Sequence, residues 1–393
     1  MVDVIISFEF EFRTPHTPLQ AHTRNIEFQI LVCYTIFCNN IIYKGDGKMK
    51  RFENSFKTLT ALVLALTMFL ALPMNVSAAT TVEVTPVLKK TLVLDVQNCI
   101  QNFEFVNDKY TLATQSTKDD VESRLLLLVK NDAGEYVQQA KVILPENVHP
   151  ESLAINQNTS TLYISDRYND SPAITRYTYA IKQTTNGYTL SLSNPKTIYG
   201  FEKTTYSNST TKTYLNSNLN DPNTCKVTRV TVATDPINNQ IAFRIQLTSG
   251  YGCYYSIYDL SKIETLLNGS ATYYNLSDKT TTENHLSTIK SSIRPNNCYQ
   301  AFDIYKNDSK YYLYVSGGAI GDVGGVVRIE YQNSETTISC NDNTASYCKF
   351  YNTIFDGKPE MEGIRRDAYG LYINYNSWIS TNPNKLGVYK ISE

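Results

Sequence analysis

The chain has 393 residues, with 36 Lys+Arg against 37 Asp+Glu and a formal net charge of −1. So even a balance leaves no basic stripe to draw nucleic acid or anionic lipid by charge. The 30 tyrosines, together with abundant Thr, Asn and Ser, favour half-buried strands and polar turns over helices.

In chain order, the first feature is a secretory signal that starts late. Lys50, Arg51 and Lys57 form a positive region, Leu59 to Leu72 is apolar, and Val76-Ser77-Ala78 is a small-residue cleavage site. The apolar run falls short of the ~20 residues a membrane span needs. Lys44 to Met49 can be encoded by a string containing a bacterial ribosome-binding sequence, which makes Met49 the expected initiator. The expected layout is therefore a leader over 1–48, a signal peptide over 49–78, a short linker over 79–90 and one domain over 91–393. Export of that domain places it outside the cell, with no membrane anchor left after cleavage.

Cys33 and Cys38 drop out on this reading, leaving Cys99, Cys225, Cys253, Cys298, Cys340 and Cys348. An even number in an exported chain suggests disulfides, and six cysteines allow 15 connectivities. Cys340 and Cys348 flank a short polar turn and are the easiest pair to close.

The remainder repeats one pattern five times: a short strand, a polar turn, then a strand rich in Tyr, Ile and Val. The copies are QNFEFVNDKYTLATQ from Gln101, ESLAINQNTSTLYISD from Glu151, TRVTVATDPINNQIAFRIQ from Thr228, QAFDIYKNDSKYYLYVSG from Gln300 and EGIRRDAYGLYINYN from Glu362. Third strands follow at 124–129, 174–179, 253–258, 326–331 and 386–391. Outer fourth strands are expected at 137–144, 197–199, 271–276 and 349–354. The fifth copy has no room for one, and TLVLDV (91–96) is free to complete it from outside. Four-stranded repeats closed in this way predict an all-β, five-bladed β-propeller. A β-sandwich would need a boundary between domains, and no Pro/Gly linker splits the chain.

Several segments in order carry a family resemblance: TLVLDVQNCIQNFEFV, HPESLAI, YYSIYDLSKIETLL, QAFDIYKNDSKYYLYVS and PEMEGIRRDAYGLYINYNS…LGVYKIS. The chain resembles the helveticin J family of secreted large bacteriocins over most of residues 91–393. The resemblance implies a secreted propeller of a Gram-positive bacterium that inhibits related bacteria at the cell envelope. It carries over no catalytic set. The family tends to place a His and an acid at the start of the third unit, where this chain has Thr228 and Arg229.

In a propeller the first strand of each unit lines the central channel. The leading residues Gln101, Glu151, Thr228, Gln300 and Glu362 are therefore expected at one channel mouth, either as a ligand site or as partners for neighbouring units and channel water. Cys99, His149, Cys298 and Glu360 each precede a leading residue by two, and Cys225 precedes Thr228 by three. A Cys225–Cys298 bridge between adjacent units is preferred to zinc, because the spacing is no local zinc motif, and unpaired buried cysteines are the remaining option. Trp378, in the loop SWISTNPN, is a sugar-stacking candidate, with packing between units as the favoured alternative. No metal and no cofactor are expected. There is no G-x-S-x-G elbow, P-loop or GxGxxG loop, and Gly317–Gly325 is followed by a strand rather than the helix a phosphate cradle needs.

The expected partner is a bacterial envelope glycan or surface receptor. An alternative is a carbohydrate- or cell-wall-binding propeller without killing activity. A glycoside hydrolase would need two carboxylates ~5–10 Å apart. Glu151, Asp303 and Glu362 are its candidates, but strict alternation from Gln300 turns Asp303 off the shared face.

Overall fold

The computed structural model describes residues 81–391 apart from 85–86, 97–98, 117–121, 146–148, 202–204, 209–210, 215–225, 249–252, 277–284, 292–294, 296–297, 319–323, 332–336, 341–345, 351–358 and 378–384. The chain divides into two units, Met1–Asn75 and Val76–Glu393. The expected leader and signal peptide lie outside the described residues.

Strands β1 (Thr81–Val84) and β2 (Val87–Val93) come first. They occupy much of the 79–90 segment expected as a linker. β3 (Ile100–Phe105), β4 (Tyr110–Ser116), β5 (Ser123–Lys130) and β6 (Tyr136–Ile143) follow as an up-and-down meander. A second meander comprises β7 (Leu153–Asn156), β8 (Thr161–Tyr168), β9 (Ser171–Thr184) and β10 (Gly187–Tyr199). Asn169 and Asp170, both at positive φ, join β8 to β9; that is the two-residue turn whose twist suits a hairpin. A small hairpin, β11 (Thr205–Asn208) and β12 (Thr211–Tyr214), leads to β13 (Val227–Asp235), β14 (Gln240–Leu247) and β15 (Cys253–Asp259). Helix α1 (Leu260–Leu267), β16 (Tyr273–Asn275) and β17 (His285–Ser291) come next. Then follow β18 (Phe302–Asn307), β19 (Lys310–Gly317), β20 (Gly325–Tyr331), β21 (Thr337–Cys340) and β22 (Ser346–Phe350). The last described strands are β23 (Pro359–Asp367), β24 (Gly370–Ser377) and β25 (Lys385–Ile391).

Three sheets are antiparallel meanders with one added parallel strand. They run β7-β8-β9-β10 with β16 on β10, β13-β14-β15-β17 with β21 on β17, and β18-β19-β20-β22 with β1 on β22. Each added strand covers an outer edge that would otherwise offer unpaired N–H and C=O groups. The remaining eight-stranded sheet joins two meanders, β23-β24-β25-β2 and β3-β4-β5-β6, through the parallel pairs Leu92↔Tyr136 and Val93↔Val137. The innermost strands pack in sequence, β3 on β7, β7 on β13, β13 on β18, β18 on β23 and β23 on β3. They close a ring around one axis, which is the arrangement of a β-propeller.

The core lies between neighbouring sheets. Tyr163, Phe243 and Tyr258 fill one layer; Tyr255, Phe302 and Ile304 fill the next. Leu112 and Ile155 pack in a third, Phe103 and Val388 in a fourth, Tyr314 and Ile373 in a fifth. Coverage on both faces explains the unbroken run Leu125–Val129 in β5, buried at every position.

β2 completes the last meander from outside, pairing Thr91↔Gly387, Leu92↔Leu386 and Val93↔Lys385 with β25. It begins at Val87 rather than Thr91. The expected outer strand 271–276 is corrected: only Tyr273–Asn275 is a strand, and it pairs with β10 of the preceding meander. The outer strand of its own meander is β17. Helix α1 is the physical reason. Asp259 caps it by accepting from the Lys262 amide at 3.0 Å, and Leu260, Ile263 and Leu267 bury themselves in the layer shared with the preceding meander. Glu264 then accepts from Thr161 Oγ1 at 2.6 Å and Tyr163 OH at 2.8 Å and pairs with Arg176, so the chain is carried across to the β10 edge.

Candidate functional site

All five innermost strands run the same way, so their starts surround one mouth of the channel and their hairpin turns surround the other. At the first mouth the strands are irregular. Register slips between Ile100 and Asn102, between Val227 and Arg229, and between Met361 and Ile364. Gln101, Thr228 and Glu362, three of the five leading residues singled out from the sequence, are thus bulge residues. A bulge re-aims a side chain at the rim of a closed sheet. Gly363 is required beside one of them, since a Cβ there would lie 2.5 Å from Asn374 Oδ1 and 3.0 Å from Asn102 Cα.

The structure brings most of the expected mouth residues together. The Cys99 thiol donates to Glu362 Oε1 at 3.2 Å, and Asn376 Nδ2 donates to Cys99 Sγ at 2.6 Å. Gln300 Nε2 donates to Glu360 Oε1 at 3.1 Å. Burial, then the charges of Glu360 and Glu151, push the Glu362 carboxyl well above the usual range. Burial, then Glu362, push the Cys99 thiol up; a protonated, enclosed thiol is a poor nucleophile. Burial also raises Cys298.

Glu151 is the most connected acid at this mouth. Its carboxylate lies 2.8 Å from Arg229 Nε and 3.5 Å from His149 Nε2. These three, with Thr228, Asp166 and Arg167, line a cavity of about 330 Å³. Thr228 itself donates to the Gln246 carbonyl at 3.2 Å. Arg229, noted in the sequence only as a departure from the family, is the side chain that reaches Glu151. Glu362 does not line the cavity.

Cys99 and Cys298 carry free thiols. Cys225, the partner expected for Cys298, lies outside the described residues, as does Trp378. Cys340 and Cys348 sit in β21 and β22, on two different sheets, and their side chains are outside the described set. Among the described residues no three His, Cys, Asp or Glu side chains gather as a metal group.

Midway along the channel sits a cluster that sequence reasoning did not assemble. Asp303 is 2% exposed and faces the channel interior. Arg365 reaches it at 3.3 Å through Nη1, reaches Glu104 at 3.1 Å through Nε, and donates to the Thr234 carbonyl at 3.0 Å. Thr234 Oγ1 donates onward to the Ile155 carbonyl at 2.7 Å. One guanidinium thus ties together β3, β13, β18 and β23, with β7 one bond away. Asp303 turns inward because it and Tyr305 share the face toward β23, opposite the Phe302 and Ile304 face. Two buried acids share one cation, so burial lifts Glu104 to about 8 and Asp303 to about 6. The cluster thus bridges the innermost strands across the ring.

Beyond this cluster, the hairpin turns enclose a larger cavity, about 710 Å³. Arg365 is part of its floor. Its walls include Phe105, Tyr305 and Tyr372, and its rim carries Ile237 and Tyr369. Lys90 also borders it, with Nζ 3.9 Å from the Phe105 ring centre and donating to Tyr136 OH at 2.8 Å. Burial lowers this amine to about 8. Sequence reasoning missed this mouth by following strand starts. The available signal was the apolar residues Ile237 and Tyr369 at turn apices, where polar residues are the rule.

No family model matches the chain, and no curated protein matches it. Among solved structures, TolB from Acinetobacter baumannii is similar with a TM-score of 0.29 and 10% identity, over 78% of this chain and 55% of that one. The Dos1 propeller is similar with a TM-score of 0.27 and 9% identity, over 75% and 59%. The chain spans less than two thirds of either. The propeller description rests on the strand order and ring closure above.

Proposed function

We propose that the chain is a five-bladed propeller latched by β2, exported from a Gram-positive cell, and that it acts as a helveticin J-like antibacterial protein recognising an envelope component through the ends of its channel. The observation that supports this best is a pair of separate cavities, one at the strand starts and one at the hairpin turns, each with room for a ligand. The acids are poorly placed for glycoside hydrolysis. Glu104 and Asp303 are committed to Arg365, and Glu151 is committed to Arg229 with Glu362 set behind the cavity wall. A general acid and its partner must both face the scissile bond.

The test is growth inhibition of related Gram-positive strains by the purified protein, run beside a pull-down on their isolated cell walls. Inhibition together with cell-wall binding supports the proposal. Cell-wall binding without inhibition of any strain replaces it with a binding propeller that does not kill, and absence of both rejects it. Release of reducing sugar, lost in Glu151→Gln or Glu362→Gln, would establish the hydrolase instead.

A further inference from the structure

The two most exposed large apolar side chains among the described residues are Tyr369, at 79%, and Ile237, at 77%. Both stand on hairpin tips at the rim of the same 710 Å³ cavity. Leaving them in water forgoes burial worth about 25 cal/mol per Å², so their coincidence on one rim points to something that covers them. Between the tips lies Tyr305, its ring capped by the Arg366 guanidinium at 4.5 Å. Tyr372 packs edge-on against Phe105 at 5.1 Å, so the inner wall is also aromatic.

The polar lining selects among ligands. Lys90, Arg365 and Arg366 are matched by Asp108, Asp235 and Asp367, so no net field favours a polyanion or an anionic bilayer. Planar amide groups are interleaved: Asn107, Gln157 and Asn158 line the same wall. Several are held in place by their own bonds, for example Gln157 Nε2 on the Phe105 carbonyl at 2.7 Å. Asp367 is fixed by the amides of Tyr369 and Gly370 at 2.8 and 3.1 Å. Aromatic faces beside fixed amides and carboxylates suit a ring with C–H faces and many hydroxyls. The volume lies within the ~300–1,000 Å³ of small-ligand sites.

We propose that the second mouth binds a neutral oligosaccharide, one ring stacked on Tyr369 and its hydroxyls bonded to Asp367, Asn107 and Asn158. The inference rests on the envelope reading only for the source of the sugar. It places recognition at the hairpin end, away from Glu151.

The test is an array of neutral chitin-, malto-, galacto- and rhamno-oligosaccharides, with calorimetric titration of any hit against the full chain. Binding should weaken at least tenfold in Tyr369→Ala and in Asp367→Asn. It should survive in Tyr273→Ala, which removes an exposed ring elsewhere. Tyr369→Phe, which keeps the stacking face, should retain most affinity and guards against reading misfolding as lost contact. No binding to any array member overturns the proposal, as does binding indifferent to Tyr369→Ala. So does binding to phosphatidylglycerol vesicles that Tyr369→Ala abolishes, which would make the rim a membrane face. Sugar binding with no inhibition of any strain sustains this inference and removes the antibacterial reading.

Discussion

Glu104 offers a sharp test of the buried ion cluster around Arg365. It is buried beside Arg365 and Asp303, and burial raises its pKa from 4.5 to about 8. Folding therefore takes up a proton that the unfolded chain releases above about 4.5. A carboxyl raised in the folded state contributes stability that is full below its unfolded value and lost as pH climbs toward its folded value. The slope is about 1.4 kcal/mol per pH unit for one proton. Between pH 5 and 8 this group alone should remove roughly 4 kcal/mol of stability. Asp303, raised from 3.8 to about 6, adds the same sign at the acid end. Glu104→Gln keeps the shape and an acceptor for Arg365 Nε but removes the titration. Urea unfolding followed by far-UV circular dichroism at pH 5, 6, 7 and 8 should show the parent falling steeply and the variant keeping only the shallower fall that Asp303 and Glu362 contribute. Parallel slopes for the two proteins would refute the assignment.

Three further outcomes follow from the same geometry. Arg365→Met leaves two acids buried without their cation, and the cost should be about 3–5 kcal/mol at pH 8, read as a lowered urea midpoint that partly recovers at pH 5. Gly363→Ala forces a methyl to within 2.5 Å of Asn374 Oδ1, and a loss of about 1–3 kcal/mol is expected, measured by the same unfolding curves. Leu92→Ala empties a fully buried position in the latch strand and should cost about 2–5 kcal/mol, with protease cleavage of β2 accelerated in step.

The repeat was legible because each copy sets two short strands, the second rich in Tyr, Ile and Val, about a polar turn; the strands are buried on both faces, so the signal was the turn and the strand composition rather than alternating exposure. TLVLDV was legible as a latch because it was a strand left without a partner. The helix at Leu260 was written just as plainly, with Asp259 as cap and Leu260, Ile263 and Leu267 at helical spacing, but the strand count absorbed it. That error moved 271–276 onto the wrong sheet. The first mouth was largely readable, since Gln101, Glu151, Gln300 and Glu362 do converge there. Asp303 was not, because alternation says which face a side chain takes but not whether that face meets an arginine across the ring. Bulges at Gln101, Thr228 and Glu362 broke the counting rule at the residues where it mattered most. Arg229 and Arg365, which organise the two clusters, carry no local signal; their partners come from strands distant in sequence.

The latch has a consequence for how the protein comes into being. β2 and β25 pair Val93 with Lys385, about 290 residues apart, and closing such a span costs roughly 5 kcal/mol of chain entropy. A chain emerging end-first must hold β2, paired at most with β6, without its β25 partner until the last strand arrives. The larger cavity draws its lining from Lys90 in β2 through to Tyr372 in β24, so it is incomplete until the ring closes, whereas the smaller one is built within residues 149–230. Ligand binding at the hairpin end thus reports completion: a chain clipped within β2 loses the Lys90 wall of the larger cavity but keeps the lining of the smaller one.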